Sequence, residues 1–158
     1  LTIDEKSVTV ADDAQNSDAS ATYYQAALNT LNVPHKGLGN FDTVVSFELP
    51  QSILTGLTKA ASIMELSHIS FYSDADDIMV MVYDPESDTS NVVRKRVGEN
   101  VTGATFKFVF SMEQWCLFPG DYDVEVAEKM VAKFTRRAKP LRYWLGQNAQ
   151  LSSYTPAD

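Results

Sequence analysis

Apolar and polar positions alternate from the start of the chain. Ser7-Val8-Thr9-Val10 reads as a strand, residues 15–19 as a polar loop, and Ser20-Ala21-Thr22-Tyr23-Tyr24-Gln25 as a second strand of the same ladder. Residues 27–41 have no period, and Pro34, Gly37, Gly39 and three asparagines mark them as a linker. Alternation resumes over residues 43–49, with Val45 and Phe47 set against Val44 and Ser46. Pro50 suits the first turn of a helix, where its missing N–H costs nothing. Ile53, Leu54, Leu57, Ala60, Ala61 and Met64 then recur at helical spacing, leaving Gln51, Thr55, Thr58, Lys59 and Ser62 on the other face. Strands are predicted over 66–73 and 78–83, joined by the turn Asp74-Ala75-Asp76-Asp77, and over 91–97 after a turn at 85–90.

Beyond residues 98–103 the pattern starts again. Thr105-Phe106-Lys107-Phe108-Val109-Phe110 alternates, Ser111 is a good N-cap, and Met112, Trp115 and Cys116 form a short apolar stripe ended by Pro119-Gly120. Three more strands are predicted over 121–127, 130–135 and 141–145, and residues 147–158 read as a polar, mobile tail. Residues 43–97 and 104–146 therefore share one order, β-α-β-β-β. This internal duplication predicts an α+β domain in which two helices pack on one face of a curved antiparallel sheet.

A chain of 158 residues holds one domain, or one domain and a fragment of another. Its apolar content excludes intrinsic disorder, and its single cysteine cannot form an internal disulfide. There is no run of about 18 apolar residues for a membrane span and no charged-then-apolar leader, so a soluble intracellular protein is expected. Leu at position 1 suggests a fragment or a processed product. The net charge of −8 argues against a surface coated in nucleic acid. The charge is uneven: residues 1–88 carry a balance of −11 and residues 89–158 a balance of +3. Arg94-Lys95-Arg96 and the Arg136, Arg137, Lys139, Arg142 group make the local excess. Such clusters can touch phosphate through one face, or be ordinary solvated charge.

Catalytic chemistry is hard to find. His35 and His68 lie near neither the cysteine nor each other in sequence, so no metal set assembles. His68 is expected to be a solvated strand residue and Cys116 a core thiol on its apolar stripe. Asp74, Asp76 and Asp77 lack the glycine and distant glutamate of a calcium loop and are better read as a turn. Asp121, Asp123 and Glu125 share one face of a strand, either as an outward row or as an acid/base site with no visible partner. Gly37 and Gly39 precede a strand and not a helix, so no phosphate loop is present. These absences favour a binding protein that needs no cofactor or metal.

The ordered set Phe47-Glu48-Leu49-Pro50-Gln51-Ser52-Ile53-Leu54, Arg94-Lys95-Arg96, Thr105-Phe106-Lys107-Phe108, Met112, Pro119-Gly120-Asp121-Tyr122, Ala132-Lys133-Phe134 and Tyr143-Trp144 resembles the last domain of the T-even-type bacteriophage DNA sliding clamp. The resemblance covers essentially residues 1–146. It implies that 1–26 are the last strands of a truncated first domain, 27–41 the interdomain linker, 42–148 a complete clamp domain and 149–158 a mobile tail. It also implies a non-enzymatic polymerase processivity factor, a trimeric ring in full-length form. Such a ring encircles duplex DNA without sequence preference, is placed by a clamp loader and tethers the replicative polymerase. The setting implied is the cytoplasm of a phage-infected bacterium, with no membrane contact.

A clamp wants positive charge on its inner helices and no base-edge readers. Lys59, with Thr55 and Thr58, is the candidate DNA surface. One lysine is a poor phosphate surface, so either the absent domain supplies charge or sliding is mostly polar and water-mediated. Ring closure by strand edges would use Tyr23 and Tyr24 on one subunit and Arg94, Lys95 and Arg96 on the next, unless these are ordinary strands with charged outer positions. Leu28, Leu31, Val33, Pro34 and Leu38 either form a pocket for a partner peptide or anchor the linker. Two rival readings are a phage structural or assembly protein that self-associates through sheet edges, and a small hydrolase using Asp121 and Asp123.

Overall fold

The computed structural model describes residues 2–3, 7–11, 20–24, 41–87, 91–128 and 131–157. The chain divides into two units, residues 1–39 and residues 40–158. The first unit holds β1 (Thr2–Ile3), β2 (Ser7–Ala11) and β3 (Ser20–Tyr24), an antiparallel sheet in the order β1-β2-β3. Its register sets Val8 against Tyr23 and Val10 against Ala21, the ladder that the alternation predicts.

The second unit begins with β4 (Thr43–Leu49), where Val45 and Leu49 are buried and Phe47 half-buried. Helix α1 (Gln51–Met64) follows at once, with Pro50 as an extended N-cap. Pro50 offers no side-chain cap. Asp121, seventy residues away, instead accepts the N–H of Gln51 at 2.8 Å, a carboxylate at the positive end of the helix dipole. Leu54, Leu57 and Ala61 are buried as the spacing predicts, but Met64 is 42% exposed. The helix has already run out there: Glu65 turns into the left-handed region at φ 54° and its N–H closes back on the Ala61 carbonyl.

Strands β5 (His68–Asp74) and β6 (Asp77–Tyr83) form the expected hairpin, and β7 (Val93–Glu99) pairs with β6. Then come β8 (Thr105–Ser111), β9 (Tyr122–Ala127), β10 (Val131–Arg136), β11 (Arg142–Gly146) and β12 (Ser153–Thr155). They make two antiparallel sheets, β11-β10-β9-β4 and β12-β8-β5-β6-β7. The first strand of each half thus joins the three later strands of the other half. This differs from the single sheet layer predicted above. The exchange leaves two sheets, and large aromatics fill the space between them. Phe71 of β5 lies 4.9 Å from Phe47 of β4, 6.1 Å from Phe110 of β8 and 6.5 Å from Phe134 of β10.

The second helix is also absent. A single 3-10 turn, Met112–Gln114, stands in its place, capped as expected by Ser111 accepting the Glu113 N–H at 3.2 Å. Two causes cut it short. Pro119 disfavours helical backbone at Phe118, and so few residues make a marginal helix. Trp115 also leaves the turn to pack against Phe134 at 5.3 Å. Cys116 is consequently exposed, not the core thiol expected from a helical stripe.

The C-terminal segment is docked, against the expectation of a mobile tail. Asn148 N–H donates to the Val109 carbonyl at 2.8 Å, Ser152 Oγ accepts the Val109 N–H at 3.0 Å, and β12 pairs with β8. An open strand edge presents unpaired N–H and C=O groups, and this segment satisfies those of β8. No helix of the described residues is long and apolar enough to cross a membrane.

Candidate functional site

The outward face of α1 carries Ser52, Thr55, Lys59 and Ser62, all exposed. No Asp or Glu occurs between Glu48 and Glu65 in a chain of net charge −8. The helix is therefore a local gap in an acidic surface. Of the three predicted DNA contacts, Lys59 and Thr55 lie on this face. Thr58 is half-buried, and its hydroxyl faces the backbone carbonyls of Leu54 at 3.0 Å and Thr55 at 3.1 Å, so it serves the helix itself.

Arg94, Lys95 and Arg96 do not act as one group. Side chains alternate across a strand, and β7 sets Lys95 opposite buried Val80 while Arg94 and Arg96 stand opposite Met81 and Met79. Arg96 is tied within the chain to Asp77 at 2.7 Å. Lys95 turns to the helix-bearing face. A Cβ placed on Gly56 would lie 2.8 Å from the Lys95 ammonium. Among the described residues, β7 is an edge strand of its sheet and β3 an edge strand of the other unit's sheet, as strand-edge closure requires. Of Tyr23 and Tyr24 only the backbone placement in β3 is described. Leu28, Leu31, Val33, Pro34 and Leu38 lie outside the described residues.

Part of the remaining basic excess is held within the fold. Arg136 donates to the Pro119 carbonyl at 2.6 Å across Gly120, where a Cβ would meet its Nε at 2.5 Å. Arg137 bridges Glu48 of β4 and Asp123 of β9, and these two carboxylates raise its already high pKa. Lys133 pairs with Glu125, its ammonium 5.7 Å from the Phe41 ring and 5.9 Å from Trp144. The row Asp121, Asp123, Glu125 is thereby accounted for as a helix cap and two ion pairs, so its members do not form an acid/base couple. The Ser67 hydroxyl donates to Asp84 at 3.1 Å and lies 2.8 Å from His68 Nδ1. The hydroxyl has one proton for the two neighbours. No group of three or more His, Cys, Asp or Glu placed to hold a metal occurs among the described residues.

Tyr122, fully buried, donates its hydroxyl to the Phe118 carbonyl at 2.7 Å. Burial pushes its pKa above 10.0 and the neighbouring Tyr143 adds to this, while Arg136 opposes it. Sequence reading missed this anchor, as well as the Arg137 bridge and the passage of Lys95 over Gly56. The last two join residues distant in sequence, whereas Tyr122 reaches only four residues back, and only the glycine inside a helix was a visible signal.

No known family profile matches the chain. No curated protein matches it either. A solved structure titled "C-terminal region of FEN-1 bound to A. fulgidus PCNA" is similar in fold, with a TM-score of 0.54 at 10% sequence identity over 94% of this chain. The chain spans 62% of the length of that neighbour. At that identity the likeness bears on the fold alone.

Proposed function

We propose that the protein is a DNA sliding clamp of the bacteriophage type, a processivity factor that holds duplex DNA by enclosure and tethers a replicative polymerase without catalysis. The fold carries the reading. Two halves of the same strand order exchange their first strands, as a tandem copy laid side by side would, and the neighbour of similar fold has PCNA in its title. The exposed face of α1 suits the task. A sliding surface needs diffuse attraction to phosphate and no base-edge readers, and this face offers hydroxyls and ammonium groups with no carboxylate. Strands β3 and β7, edges of their sheets among the described residues, suit closure of a homo-oligomeric ring, with a loader to open it.

Retention on DNA is the test. The full-length protein, loaded on circular duplex, is expected to remain until the circle is cut. Immediate loss from intact circles overturns the proposal. Self-association unaffected by DNA or polymerase would instead support an assembly protein.

A further inference from the structure

We infer that Lys95 belongs to the duplex-facing surface and not to the subunit edge, forming with Lys59 a two-cation phosphate site that Gly56 makes possible. The inference rests on the proposed function and adds a residue and a geometry to it. Glycine inside a helix costs about 1 kcal/mol against alanine. Gly56 has no need of its freedom, since its φ is ordinary and it sits mid-helix. What it supplies is space. The Lys95 side chain crosses from β7 onto α1, with Nζ 2.8 Å and Cε 3.7 Å from where a Cβ would stand. The ammonium thus rests on the helix surface one turn from Lys59, and Lys95 remains exposed. Neither lysine forms an ion pair with a described residue, whereas Arg96, Arg137 and Lys133 all do. Two unpaired ammonium groups on a stretch free of carboxylates complement a polyanion. Ammonium groups that contact phosphate alone bind duplex DNA without sequence preference.

The test is the salt dependence of binding of the full chain to a fluorescent duplex of about 30 base pairs, followed by anisotropy. Each phosphate contact contributes about 0.9 to the slope of log K against log salt. Lys95→Met and Lys59→Met are each expected to lower the slope by about one. Arg142→Met, an exposed cation on β11, is expected to leave it unchanged. Gly56→Ala keeps every charge and shifts only the end of the flexible Lys95 side chain, and is expected to lower the slope by less than Lys95→Met does. Because alanine is a better helix former, its thermal midpoint should not fall, which separates loss of contact from loss of fold. If Lys59→Met lowers the slope and Lys95→Met does not, the inference fails while the proposed function stands. An equal fall for Arg142→Met also overturns it, since any surface cation would then serve. If the wild-type chain shows no salt-dependent binding to duplex, the inference fails, while the proposed function, which rests on enclosure, is decided by retention on circular duplex.

Discussion

Single side chains hold the loops of this domain by hydrogen bonds to backbone carbonyls. Tyr122 is the clearest case. Its hydroxyl fixes the loop at Phe118, and Tyr122→Phe is expected to lower stability by about 1 kcal/mol at neutral pH, measured by urea denaturation. The pH dependence follows from the raised pKa. The fold favours the protonated phenol, so its contribution is complete below the unfolded value near 10.0 and is lost as pH rises through the higher folded value. Tyr122→Phe should therefore flatten the alkaline limb of the stability profile. An unchanged slope above pH 10 would show that the phenol does not govern it. Ala75 offers the opposite opportunity. It occupies φ 51° in the β5–β6 turn, a left-handed conformation that costs a Cβ-bearing residue about 1 kcal/mol. Ala75→Gly is expected to raise the denaturation midpoint without altering the m-value.

Elements depend on partners that their own sequences do not contain. Helix α1 has no local cap and takes one from Asp121. Asp121→Ala is expected to cost about 1 kcal/mol, with the loss of helical circular dichroism preceding that of the sheets on heating. Strand β12 lies along β8, and the Tyr154 ring stacks 6.3 Å from Phe108. Tyr154→Ala is expected to cost about 1–2 kcal/mol and to increase hydrogen exchange at Val109. Unaltered exchange there would mean that the segment does not protect β8. Gly120 illustrates the limit on variation: Arg136 covers it so closely that a methyl group must displace the guanidinium from the Pro119 carbonyl.

At the scale of the whole molecule, charge is arranged by face more than by sequence block. After residue 88, Arg96, Lys133 and Arg137 are paired with carboxylates, whereas Lys95 crosses to the helix-bearing side unpaired among the described residues. Arg94 is the exposed cation left on the other face of the β7 edge. If ring closure uses that edge, Arg94→Glu is expected to weaken self-association by about tenfold in sedimentation equilibrium, or about 1.4 kcal/mol, with the fold intact. Association that is insensitive to Arg94→Glu would place the subunit contact elsewhere.

Local periodicity by itself determined β4, α1 and the β5–β6 hairpin, because alternation and helical spacing are imposed by short-range geometry on residues that are neighbours in the chain. It also set Phe106, Phe108 and Phe110 on one face of β8, and all three are buried, as is Val109 of the other face. Tertiary structure alone decided that the strands divide into two sheets by exchange, since pairing partners are chosen by long-range burial that no local window contains. It likewise reduced the second helix to one turn, because seating Trp115 among Phe71, Phe110 and Phe134 outweighs the weak cooperativity of so short a helix. And it turned Lys95 away from Arg94 and Arg96, for in a strand adjacent residues face opposite sides, and what each side meets depends on the helix packed there.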